Sequence, residues 1–274
     1  MDMTTLQAII LGIVEGLTEF LPVSSTGHMI ITTAILGMTP TDFVKTFTVA
    51  IQLGAILAVV VLYWKRFFDF AKLTDAVNFY LKLVVAFLPA GIIGYLLSNK
   101  IDELLGSVTV VAVSLLVGGI ILIWVDKLFA KTEKNPELPL TYPMAFIIGC
   151  FQVVSMIPGV SRSAATITGG LSQKLGRKQA AEFSFFLAVP TMVIATGYKL
   201  FKFHKTMGTM GISHHDYAML GIASFVAFIV ALIAVKTFIS FLSNHGLKYF
   251  GYYRIVVGGI LLILIALGVK ISVV

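Results

Sequence analysis

The chain has 274 residues, 58% of them hydrophobic and only 12% charged, with a mean hydropathy of +0.98. A soluble domain carries about 25% charged residues, so this composition excludes a water-solvated globule and makes lipid the main solvent. The net charge of +7 sits in short loops beside apolar runs, where membrane proteins place it, and this excludes the nucleic-acid partner that a basic chain otherwise suggests.

The first residues, MDMTTLQAII, hold neither a basic leader nor a cleavage signature, so the spans themselves are expected to direct insertion. Segment 5–21 is apolar, breaks at Pro22, passes through hydroxyl-rich residues and resumes as a short apolar piece at 25–36. Three spans follow at 43–64, 82–98 and 107–126, each near the roughly 20 residues that cross a bilayer. Segment 142–157 then repeats the opening: a break at Pro158, more hydroxyls and a short piece at 162–172. Spans at 182–201, 217–239 and 251–270 complete the chain, and the longest loops are expected at 65–82, 127–141 and 199–216. Cys150, the single cysteine, excludes an intramolecular disulfide and is expected to pack in the interior.

Helix, break and short helix fit a re-entrant hairpin better than a full span, because irregular backbone at membrane depth must be buried in protein or line a wet cavity. Gly12, Glu15 and Pro22 parallel Gly149, Gln152 and Pro158. Each hairpin precedes three spans, and an odd number of crossings inverts the second copy. The expected fold is therefore an all-α polytopic membrane protein. A single domain, 1–274, holds six transmembrane helices and two re-entrant helical hairpins as an inverted repeat with halves near 1–126 and 127–274. The loops holding Lys65, Arg66, Lys72, Lys82, Lys127, Lys131, Lys134, Lys174, Arg177, Lys178 and Lys248 outweigh those holding Lys45, Lys100, Lys199, Lys202, Lys205 and Lys270. The first set is expected in the cytoplasm and both termini outside, although the lysines of 199–216 count against this orientation.

The chemistry concentrates at the two breaks, EGLTEFLPVSSTGH (15–28) and QVVSMIPGVSRSAAT (152–166). Buried charges at Glu15, Glu19 and Arg162 cost several kcal/mol apiece unless paired or hydrated, so they mark function. Glu15 and Glu19, four apart, share a helix face. They suit either a hard cation, Mg²⁺ or Ca²⁺, or a general base raised by its like-charged neighbour. Ser24, Ser25 and Thr26 offer nucleophilic or phosphate-binding hydroxyls, with helix capping as the alternative for Ser24, Ser25 and Ser161. His28, three residues after Ser25, suits a base, a nucleophile or a leaving-group acid. Arg162, between Ser161 and Ser163, suits bidentate phosphate binding or pairing with a glutamate, and Thr166 lies one turn on. Two resumed helices would aim N–H groups at one anion. Glu182, His204, His214 and His215 read as structural or solvated, the histidines in a loop, and Gly118–Gly119 and Gly258–Gly259 as close helix packing.

With these motifs the chain resembles the bacterial undecaprenyl pyrophosphate phosphatases, the bacitracin-resistance family: EGLTEFLPVSSTGH matches the first family signature and PGVSRSAAT (158–166) the second. The resemblance spans essentially the whole chain. It implies removal of the terminal phosphate of undecaprenyl diphosphate, a polyprenyl diphosphate lipid, to recycle the cell-wall carrier and confer bacitracin resistance. It also implies a divalent cation and an active site on the outer side of the plasma membrane. By motif, Glu15 and Glu19 take the paired-acid positions, Ser25 the proposed nucleophile, His28 the essential histidine and Arg162 the phosphate-binding arginine. Ser161, Ser163 and Thr166 fill the other polar positions. Homodimerisation stays open. The rival reading is a transporter, since broken helices in inverted repeats also build carriers.

Overall fold

The computed structural model describes residues 3–70, 72–129, 138–207, 213–269 and 271. The described residues form thirteen helices and no strand. The first half runs α1 (Thr5–Thr18), α2 (Ser25–Ile35), α3 (Asp42–Ala50), α4 (Gln52–Leu62), α5 (Trp64–Phe68), α6 (Leu73–Leu96), α7 (Ser98–Leu105) and α8 (Val108–Leu128). The second runs α9 (Tyr142–Val154), α10 (Arg162–Ser172), α11 (Arg177–Met207), α12 (His214–His245) and α13 (Lys248–Ala266).

Among the described residues six segments are long and apolar enough to cross a membrane: Asp42–Leu62, which joins α3 and α4, then Leu73–Leu96, Val108–Leu128, Arg177–Lys205, His214–His245 and Lys248–Ala266. These are the six expected spans with moved ends. The two broken segments are the shorter apolar helices α1 and α9, each followed by an eleven-residue helix, α2 or α10.

The expected 65–82 loop is mostly helix. Ala76, Phe79 and Leu83 recur at helical spacing and bury one face, while Asp75 and Asn78 stay exposed, so α6 starts well before its apolar centre. The 199–216 loop shrinks in the same way: Lys199, Lys202 and Lys205 continue α11 at i, i+3, and His204 is helical with them. His214 and His215 open α12 rather than a loop, and His215 Nε2 lies 2.7 Å from the Met3 carbonyl. Lys131, Lys134 and Lys270 lie outside the described residues, as does most of the 127–141 loop.

Small residues let the helices approach. Carbonyl oxygens of α12 sit 2.5 Å from where a Cβ would stand on Gly12 and on Gly16, so α1 lies directly on α12. In the second half Gly149 of α9 meets the Ala86 carbonyl of α6 in the same manner. The first broken segment thus rests on a span of the second half, and the second on a span of the first. Helices α8 and α13 pack through Gly118, Gly119, Gly251 and Gly258, whereas Gly259 faces open space and carries none of the expected packing. Cys150 is exposed, contrary to expectation, because Ile148, Gly149 and Gln152 form the packed face of α9. Large apolar side chains such as Trp124, Phe225, Ile233 and Ile263 point outward, the reverse of a water-facing surface.

At one end Asp126 fastens three elements. Its Oδ1 takes the Arg177 guanidinium at 2.9 Å and the Leu247 N–H at 2.9 Å. Arg177, a loop charge by its place in the sequence, is in this ion pair.

Candidate active site

The backbone at both breaks is unusual in the same way. Ser24 and Ser161, each the residue before a resumed helix, hold φ of 70° and 75°. Positive φ is uncommon outside glycine and costs about 1–3 kcal/mol. Each serine recovers part of this by capping: Ser24 Oγ accepts from the Gly27 N–H and Ser161 Oγ from the Ala164 N–H, both at 3.3 Å. Of the two roles open to these serines, capping is therefore filled. Ser25 is not a cap, and its hydroxyl is aimed elsewhere.

Ser25 Oγ donates to Glu19 Oε2 at 2.7 Å, and Arg162 Nη2 donates to Glu19 Oε1 at 3.0 Å. One carboxylate, buried at the end of α1, therefore holds both the hydroxyl of the first motif and the guanidinium of the second. Arg162 is fixed further by Nη1 to the Ser184 carbonyl at 3.0 Å and by its position 5.7 Å over the Phe20 ring. Ser163 Oγ donates to the Leu21 carbonyl at 2.9 Å, tying α10 to the first break. Ser161 and Ser163 hydroxyls lie 3.1 Å apart. Thr166 Oγ1 bonds the Arg162 carbonyl at 2.9 Å and the Ser184 hydroxyl at 2.6 Å, which locks the first turn of α10.

Glu15 lies one turn before Glu19, fully buried beside the Glu19 carboxyl, with no cation or N–H donor among the described residues satisfying its oxygens. Gln152, its counterpart in the second motif, leaves Nε2 without a partner. Buried polar groups are nearly always satisfied, so these atoms retain capacity for a further partner. Among the described residues no group of three or more His, Cys, Asp or Glu forms a cation cage. The Glu15–Glu19 pair nevertheless suits a cation completed by substrate oxygens, since Mg²⁺ is usually held by one or two carboxylates plus phosphates.

His28 bonds neither glutamate nor Ser25. Its Nδ1 is 2.8 Å from the Ser24 carbonyl, which can only accept, so in the neutral ring Nε2 is the acceptor and the Tyr253 hydroxyl donates to it at 2.6 Å. The two rings also stack. Thr26 lines a cavity of about 410 Å³ together with Gln52. Glu182 faces Tyr63 rather than the site.

Three participants escape a reading of the sequence. Ser184 and Tyr253 lie in apolar spans with no motif around them. Arg254 does carry a signal, a cation within a span. It is wholly buried and donates only to carbonyls: Pro22, Gly159, Val160, Ser114 and Leu115, at 2.8–3.4 Å. One guanidinium thus ties both breaks to α8.

Tyr253→Phe should lower kcat about fivefold, the worth of one neutral hydrogen bond of about 1 kcal/mol, with KM unchanged. Steady-state kinetics would show this. An unaltered kcat would remove Tyr253 as a positioning residue for His28.

A model of the family described as bacitracin resistance protein BacA matches residues 8–260. An undecaprenyl-diphosphatase of Porphyromonas gingivalis is 54% identical over 284 residues, covering 99% of this chain and all of that protein. One from Flavobacterium psychrophilum is 58% identical over 262 residues, 96% of each chain. One from Aquifex aeolicus is 50% identical over 260 residues, covering 93% of this chain and 96% of its own.

Proposed function

The chain belongs to the bacitracin resistance protein BacA family, and from that membership and the site we propose that it is a membrane phosphatase that cleaves undecaprenyl diphosphate to undecaprenyl phosphate and inorganic phosphate. The product would re-enter cell-wall synthesis, and its faster regeneration would confer bacitracin resistance. The observation that carries the reading is Glu19, bonded at once to the Ser25 hydroxyl and the Arg162 guanidinium. A nucleophile on its base, beside a cation for the phosphate, is the constellation phosphoryl transfer requires.

The lipid tail lies between spans and the diphosphate enters among the two breaks. Arg162 turns from Glu19 to the phosphate, which frees the carboxylate to take the Ser25 proton as it is needed. Ser25 Oγ attacks the terminal phosphorus, the bridging P–O bond breaks, and undecaprenyl phosphate leaves with the electron pair. Water then cleaves the serine phosphoester and releases phosphate. His28, held through Ser24 and Tyr253, sets the first turn of α2. Ser24, Ser161, Ser163 and Thr166 keep the two helix starts aimed at the anion, and Thr26 faces the water-filled side. A Mg²⁺ or Ca²⁺ ion held by Glu15 and Glu19 would supply charge neutralisation for the phosphate oxygens. The basic loops favour an orientation with both termini outside and the site open to the outer face of the plasma membrane.

The test is phosphate release from undecaprenyl diphosphate by purified protein in detergent, wild type beside Ser25→Ala, with and without Mg²⁺ or Ca²⁺. Wild type should turn over with metal, and Ser25→Ala should lose at least about 1,000-fold in kcat. Near-normal turnover by the variant would make water or His28 the nucleophile. No release by folded wild type would favour a carrier.

A further inference from the structure

The cavity beyond Thr26 has a chemistry that the reaction above does not use. Its floor is one face of α2, Thr26, Met29 and Ile30, beginning one residue after Ser25. Lys45 reaches it from α3, and Lys199 and Lys202 from α11. Lys199 is within electrostatic reach of both other lysines and of Asp102. Asp102 takes Lys202 at 3.1 Å, and Asp42 also lines the wall. Three ammonium groups against two carboxylates leave the basin positive, and the Thr26 hydroxyl adds a hydrogen-bond donor, whereas Thr46 and Thr48 donate to the Asp42 and Lys45 carbonyls of their own helix. Crowding like charges around a cavity costs free energy that an oxyanion of opposite sign recovers.

We propose that this basin is a second oxyanion site, which takes inorganic phosphate as it leaves Ser25 and passes it to water. The lipid product would occupy the route between the spans, so the small hydrophilic product would need a separate way out, and Thr26, next in sequence to Ser25, lines the basin. The origin of the phosphate rests on the phosphatase reading above; the binding itself does not.

The probe is inorganic phosphate, titrated at constant ionic strength into protein in an uncharged detergent and followed by ³¹P NMR line broadening. Working in Arg162→Ala removes the catalytic anion site. Arg162→Ala should still bind phosphate, with sulfate competing and chloride not. Adding Lys45→Ala and Lys199→Ala should weaken binding about tenfold for each charge-assisted hydrogen bond removed, and Lys199→Arg in place of Lys199→Ala should restore part of it. Binding that vanishes with Arg162→Ala alone, or is indifferent to the lysines, would overturn the proposal. If wild type releases no phosphate from the lipid while lysine-dependent binding persists, the oxyanion site stands and the phosphatase reading falls.

Discussion

Arg162→Lys should lose about 100- to 1,000-fold in kcat, the usual cost of removing one preorganised charge donor from a transition state, while the protein keeps its fold. The substitution preserves charge, so the loss would report geometry. The guanidinium is forked between the Glu19 carboxylate and the Ser184 carbonyl and lies over Phe20. A lysine has one nitrogen and cannot hold those directions together or present two N–H groups to a phosphate. The check is single-turnover and steady-state kinetics with undecaprenyl diphosphate, beside thermal unfolding. A raised KM with normal kcat would mean that Arg162 only holds the ground state.

The other large effect is expected at a residue remote from the reacting atoms. Arg254→Met should lower stability by about 3–5 kcal/mol, the range for breaking a buried charged network, and abolish activity with it. Five carbonyls lose their donor, three of them in the breaks that form the site. Gly118 offers an independent route to the same result. An added Cβ there would run into Arg254 Nη2, so Gly118→Ala should displace the guanidinium while leaving its charge. Thermal unfolding in detergent and limited proteolysis of the 19–24 and 155–161 turns would detect both. Wild-type stability and activity in Arg254→Met would refute the bracing role.

What the sequence makes legible is the chemistry that violates its surroundings. Glu15, Glu19 and Arg162 stand out in apolar runs, and Pro22 and Pro158 followed by hydroxyls announce the breaks, so α1, α2, α9 and α10 are placed within a few residues. Loop boundaries are less legible. The ends of α6 and α11 are amphipathic, and hydropathy sees only their apolar middles. Along the chain the partner of Ser25 is open between Glu19 and His28, because both lie within reach. The backbone settles it, since the turn at 19–24 folds Glu19 back onto α2 while His28 bonds the Ser24 carbonyl. Tyr253 and Ser184 give no pattern at all. They join the site only through tertiary contacts more than 200 and about 20 residues away in sequence from His28 and Arg162 respectively.

The shared guanidinium also bears on how such a scaffold can move. A carrier with alternating access has to let its two inverted units slip past one another, so that a central ligand faces first one compartment and then the other. Here Pro22 of the first break and Gly159 and Val160 of the second hang on the same side chain, itself anchored to α8 through Ser114 and Leu115. Any relative slip would strip buried carbonyls of their donor at about 1–3 kcal/mol each. One side chain thus ties both breaks to α8, and motion of either break relative to the other would have to break several of these bonds together.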